Sequence, residues 1–134
     1  MSYNLPQIER EQRQMYDVRF YKDKNGNRPA LAYLQELLKK NDKDSRIRAR
    51  KMQEYINILR NEGTFIGEPI VKHIEGDLWE LRPARDRVLF VAWHNNGYVL
   101  LHAFEKHTQK TPEREKQRAR EEYKDLKERG LNNE

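Results

Sequence analysis

The dipeptide Asn96-Gly97, set between two runs in which apolar and polar residues alternate, constrains this chain most. Asn-Gly supplies the positive φ angles of a type I′ turn and is the strongest short-range sign of a β-hairpin. The flanking runs are Arg87–Asn95 and Tyr98–Lys106, and a third run, Leu78–Ala84, precedes them. A two-residue turn fixes the register by counting outward. Asn95 then faces Tyr98, Trp93 faces Leu100, Val91 faces His102, Leu89 faces Phe104 and Arg87 faces Lys106. A four-residue connection, Pro83-Ala84-Arg85-Asp86, places Arg82 opposite Arg87 and Glu80 opposite Leu89. Sorted by face, Trp79, Leu81, Val88, Phe90, Ala92, Val99, Leu101 and Ala103 make one nearly all-apolar surface. The other face carries Leu78, Glu80, Arg82, Arg87, Leu89, Val91, His102, Phe104 and Lys106, apolar at one end and basic at the other.

The period changes to two from Ile70 onward, and before that it is mostly helical. Tyr16–Tyr21 alternates and reads as a short strand, and Lys24-Asn25-Gly26-Asn27 as a turn. Pro29 opens a helix to about Lys40, with Leu31, Leu34, Leu37 and Leu38 on one face. Asp44 or Ser45 caps a second helix, whose stripe is Met52, Tyr55, Ile56 and Leu59 and whose stop is Gly63. Thr111-Pro112 supplies a cap and a first-turn proline for a last, highly charged helix running to about Arg129. The order is β-α-α-β-β-β-α, an α+β plan with helices on one face of a small, largely antiparallel sheet. A chain of 134 residues holds one domain. It is placed at residues 15–130, after an extension of loose helix or disorder at 1–14 and before a tail at 131–134.

Composition narrows the chemistry. With no cysteine there is no disulfide framework and no thiolate metal site, and the four histidines lack metal-ligand spacing, so neither metal nor cofactor is expected. No stretch approaches the ~18 apolar residues of a membrane span. The opening Met1-Ser2-Tyr3-Asn4 has no apolar signal region, so a cytoplasmic location is expected. The formal net charge of +5 favours polyanionic partners. That charge has a local form, because Arg82, Arg87 and Lys106 fall on neighbouring strands, where like charges repel. Either Glu80, Glu105 or Asp86 neutralises them in a structural ion cluster, or they hold a phosphate, for which Arg offers a planar fork and Lys a point charge. Phe104 or Trp93 beside them offers a base a ring to stack on. RNA cleavage through the ribose 2′-OH suits this set, since it needs a base, an acid and cations. His102 and His107 titrate in the right range for acid or base, although a sheet histidine and a loop histidine are more often structural.

The blocks Leu78-Trp79-Glu80-Leu81-Arg82, Arg85-Asp86-Arg87-Val88-Leu89-Phe90 and Leu100-Leu101-His102-Ala103-Phe104-Glu105-Lys106-His107-Thr108-Gln109-Lys110-Thr111-Pro112 resemble the RelE/ParE toxin superfamily. Within it they are most similar to HigB-type toxins grouped with phage-derived Gp49-like proteins, over roughly Tyr16 to Arg129. The resemblance implies a RelE-like fold and a type II toxin that cleaves mRNA in the ribosomal A site. It also implies neutralisation by a HigA-like antitoxin with a helix-turn-helix domain. Arg87, before a hydrophobic pair and an aromatic, matches the family's strand arginine. Lys106 matches its basic residue after the last strand, and Arg82 the arginine ending the preceding strand. Arg85 and Lys110 would contact the RNA backbone, with His102 and Phe104 in the RNA-binding set. The tyrosine that many members use after the last strand is missing from His107–Lys110, which leaves His107 as acid or base, with His102 and Glu80 as alternatives. The second strand carries Leu78 and Glu80 where relatives often have lysines. ParE-like relatives share the fold and poison gyrase, and a non-catalytic nucleic-acid-binding phage protein is a third possibility.

Overall fold

The computed structural model describes residues 15–131, so the extension at 1–14 and tail residues 132–134 lie outside the described residues. The elements are β1 (Asp17–Phe20), α1 (Pro29–Lys39), α2 (Lys43–Glu62), a 3₁₀ turn (Gly63–Ile66), β2 (Val71–Glu75), β3 (Leu78–Leu81), β4 (Asp86–Trp93), β5 (Gly97–Glu105) and α3 (Glu113–Arg129). The five strands form one sheet in the order β1-β5-β4-β3-β2. Three neighbouring pairs are antiparallel, and β1 runs parallel to β5. The α+β class and the largely antiparallel sheet follow the sequence reading, with β2 added between the helices and the expected strands. β2 is an edge strand with an irregularity between His73 and Glu75 and two exposed residues at its centre, so it lacks the alternation that marks a half-buried strand.

Local chemistry explains most boundaries. Pro29 sits in the first turn of α1, where its missing N–H costs no hydrogen bond. Asp42, rather than Asp44 or Ser45, caps α2 by accepting from the Ser45 backbone N–H at 2.8 Å. Gly63 ends α2 at φ +66°, and Gly130 ends α3 at φ +78°. Pro112 occupies the cap position of α3, and the Thr111 hydroxyl expected to cap that helix is turned elsewhere.

The helices cover both faces of the sheet rather than one. Leu34 and Leu37 of α1 and Met52, Ile56 and Leu59 of α2 pack on Leu81, Val88, Phe90 and Leu100. Ala119 and Leu126 of α3 pack on Leu89, Val91, Val99 and Leu101 on the opposite side. Successive β4 residues alternate between the two clusters, as the pleat requires. Among the described residues, no helix is long and apolar enough to cross a membrane.

The β3–β4 register is the expected one, with Glu80 opposite Leu89. The β4–β5 register is not. Trp93 pairs with Gly97, so the loop is His94-Asn95-Asn96, with His94 at φ +58°. Gly97 is a strand residue that lets β1 approach, because a Cβ there would meet Trp93 O at 2.8 Å and Asp17 O at 3.3 Å. The glycine read as a turn residue thus serves strand contact instead. A bulge then shifts the ladder once more, placing His102 opposite Leu89 and Phe104 opposite Arg87. Val99 and Leu101 consequently lie under α3, not under α1 and α2. At the basic end the two shifts put Arg87, Leu89, His102 and Phe104 back on one side as expected, but with other partners: Arg87 lies opposite Phe104 rather than Lys106, and Leu89 opposite His102 rather than Phe104.

Candidate active site

The basic end lies where β3, β4 and β5 finish together, and a carboxylate behind it sets its shape. Asp86, the first residue of β4, is 0% exposed. It accepts two hydrogen bonds from Arg48 of α2, at 2.6 and 3.1 Å, and one from the Tyr33 hydroxyl of α1 at 2.6 Å. This charge-assisted fork binds the turn to the helices and holds the Arg48 guanidinium above its ordinary range. Burial and the neighbouring Asp86 carboxylate push the Tyr33 hydroxyl up as well. In the turn itself Ala84 is held at φ +54°, a strained value for alanine.

Because side chains alternate along a strand, fixing Asp86 toward the helices sends Arg87 to the other face. Arg87 is 6% exposed and donates to the carbonyls of Ala84 at 3.0 Å and Asp86 at 2.8 Å. Burial, followed by the nearby Arg82, lowers its pKa. Glu80, 2% exposed, stands between the two arginines, with Oε1 3.6 Å from Arg82 Nε and 3.9 Å from Arg87 Nε. Its other oxygen accepts from the Thr111 hydroxyl at 2.7 Å. Glu80 therefore supplies part of the expected neutralisation, but at ion-pair distance and shared between two guanidiniums. Arg82 Nε is buried without a hydrogen-bond partner among the described residues. A buried donor in that state is costly unless something else meets it.

A tight cleft opens beside this cluster, lined by Glu80, Arg87, Phe104, Lys106, Thr111 and the Thr108–Lys110 turn. Its free volume of about 10 Å³ admits roughly one water. Lys106 is held by its backbone N–H on Arg85 O at 2.8 Å, and neither its ammonium nor that of Lys110 is ion-paired among the described residues. A second cleft of about 470 Å³ adjoins the first and shares Phe104, Thr108, Lys110, Thr111 and Pro112 with it; His107 lines only the second.

The structure thus brings together Arg87, Lys106, Phe104 and Lys110, with Arg82 behind Glu80 and His107 on the adjoining cleft. Two other expected residues line neither cleft. His102 is 0% exposed, with Nδ1 2.6 Å from Glu122 and Nε2 2.9 Å from Glu115, both on α3. Arg85 bridges Asp44 at 2.6 Å and Glu105 at 2.9 Å. Three contributors escaped sequence reasoning: Arg48, Tyr33 and Thr111. Arg48 and Tyr33 fall on helices, and no local pattern reveals their partner 38 and 53 residues away. Thr111 was legible only as a helix cap. Among the described residues no cluster of three or more His, Cys, Asp or Glu side chains is arranged to hold a metal.

Comparison with known proteins adds the family. Residues 32–124 match the model of the family described as phage-derived protein Gp49-like, a span from α1 into α3 that contains every residue of the cleft just described. Among solved structures, the chain is similar to one chain of the archaeal RelE–RelB complex from Pyrococcus horikoshii. That similarity has a TM-score of 0.48 and 23% identity, over 68% of this chain and 94% of that one. A search of curated proteins gives no match. With more than half of its length under the family model, the chain belongs to the phage-derived Gp49-like family.

Proposed function

We propose that the chain is the toxin of a type II toxin–antitoxin system, an endoribonuclease that cuts mRNA on the ribosome. The observation that carries the reading is the Arg82–Glu80–Arg87 cluster with Lys106: three cations against the buried Glu80 and the more exposed Glu68, which reaches Arg82 only at 3.9 Å, with one guanidinium nitrogen left without a hydrogen bond. Family membership and the sequence resemblance to RelE-like toxins support it. Cleavage proceeds by attack of the ribose 2′-oxygen on the adjacent phosphorus. The 2′-OH proton passes to a base, the bond to the 5′-oxygen breaks, and an acid protonates that leaving oxygen, giving a 2′,3′-cyclic phosphate and a 5′-hydroxyl. Arg87, Arg82 and Lys106 stabilise the charge on the non-bridging oxygens. His107, exposed on the linker after β5, serves as acid or base, and Lys110 holds the backbone. His102 and Arg85 act through structure, the first under α3 and the second in its ion pairs. Function in the cytoplasm and a helix-turn-helix antitoxin of HigA type belong to the same proposal.

Pulse expression with RNA mapping tests it. Wild-type protein is expected to stop translation and leave codon-phased cuts. Lys106→Ala and Arg87→Lys should lose the cuts by about 10²-fold or more while still binding antitoxin. Arg87→Lys is preferred to Arg87→Ala because Arg87 also ties down the Ala84 turn. Growth arrest with DNA damage and intact mRNA would instead identify a gyrase poison, and neither effect a module that only binds.

A further inference from the structure

We infer that His102 is a positioning residue, held as an imidazolium between Glu122 and Glu115, which seats the first turns of α3 on β5 and so places the 107–111 linker beside Arg87 and Lys106. The inference rests on the reading of that cleft as the RNA-cleaving site. His102 is 0% exposed, with Nδ1 2.6 Å from Glu122 Oε1 and Nε2 2.9 Å from Glu115 Oε1. A neutral imidazole has one N–H to donate, and an ionised carboxylate only accepts. Two facing carboxylates therefore call for a proton on each ring nitrogen. Arg118 donates to the other oxygen of Glu122 at 3.0 Å, and with it the four charges cancel. Arg114, with a side chain 79% exposed, reaches Glu115 only at 3.8 Å and adds little.

No apolar contact does this work at the start of the helix. Residues 113–118 read Glu-Arg-Glu-Lys-Gln-Arg, and the first apolar residue of α3 in the core is Ala119. Arg120 anchors the helix farther along, on Glu75 of β2. The linker leaves β5 after Glu105 and enters α3 at Glu113, so a ring on β5 bonded to Glu115 ties its two ends together. Glu113, Arg114 and Lys116 of the same first turn line the larger cleft with His107 and Lys110. Buried ion groups contribute little net stability, and what this set fixes is a geometry.

Nitrogen NMR of the full chain labelled at histidine reads the ring directly. Both His102 nitrogens are expected to carry protons at neutral pH, and a nitrogen without its proton overturns the clasp. Single-turnover cleavage of mRNA on programmed ribosomes tests the positioning, with the saturated rate and the half-saturating protein concentration measured separately. Glu115 is the residue to change, because His102→Leu would strand two carboxylates against an apolar side chain. Glu115→Leu should lower the saturated rate about ten-fold or more and leave the half-saturating concentration unchanged. Glu115→Gln, whose amide can still meet Nε2, should recover most of that rate. A Glu115→Leu protein that cuts as fast as wild type or changes only in half-saturation, or a Glu115→Gln protein as slow as Glu115→Leu, overturns the positioning role and leaves RNA cleavage standing. Uncut mRNA with the wild-type protein overturns the RNA reading, and the positioning role with it.

Discussion

At the scale of single residues, the site depends on a charge that never touches it. Asp86 turns toward the helices because Arg48 and Tyr33 satisfy it there, and Arg87 faces the cleft because it is the next residue of the strand. Truncating one partner of a buried ion pair leaves an uncompensated charge, which costs about 3–5 kcal/mol. Arg48→Met should therefore lower the stability measured by urea unfolding by about that amount, and adding Asp86→Asn should recover much of it. If Arg48→Met unfolds at the wild-type midpoint, the pair does not hold the turn. Arg82, Arg87 and Lys106 were legible in the sequence because three cations on adjacent strands break a local rule. The burial of Glu80 between the arginines and its hydrogen bond from Thr111 were not, since a Thr-Pro pair before a helix reads first as a cap.

At the scale of elements, α3 decides which side of the sheet is covered. Its sequence reads as a solvated helix whose charges pair with one another, with only Ala119, Tyr123 and Leu126 on an apolar stripe. In the fold that thin stripe suffices, because Glu122 and Glu115 meet the buried His102 and Tyr21 meets Asp125. Asp125 accepts from the Tyr21 hydroxyl at 2.6 Å and from both Nε and Nη2 of Arg129, and Arg129 also reaches Lys22 O at 2.7 Å. Chiefly through Arg129, its carboxyl is lowered to about 2. A carboxyl depressed in the folded state adds stability above its unfolded pKa of about 3.9, and that stability disappears as pH falls through the folded value. Asp125→Asn should destabilise the protein at pH 7 and flatten the acid-induced loss of stability between about pH 4 and the folded value. Thermal melts across that range check it, and a variant whose melting temperature tracks the wild type at every pH would contradict it. The hairpin shows the limit of local signals. Asn96-Gly97 located the turn to within two residues, but the needs of β1, a strand almost 80 residues earlier, fixed the role of Gly97 and with it the register.

At the scale of the whole molecule, the net charge of +5 is a small excess within a surface crowded by both signs. Many cations among the described residues sit in pairs such as Arg120 with Glu75 and Glu113, or Arg85 with Asp44 and Glu105. Lys106 and Lys110 are among the lysines without an ion pair in the described residues, and these two line the clefts at one end of the sheet. The class, the element order apart from β2, and the clustering of Arg87 with Lys106 could be read from periodicity and charge. The two-sided covering of the sheet could not, because a weakly apolar helix gives no sign of which face it takes. The central claim is that this cluster cleaves RNA, and a single-turnover assay with purified protein and mRNA on programmed ribosomes tests it most directly. The account predicts cuts ending in 2′,3′-cyclic phosphate, with a rate lowered about 10²-fold or more by Lys106→Ala while antitoxin affinity is unchanged. Uncut mRNA with the wild-type protein, or an undiminished rate in Lys106→Ala, would contradict it.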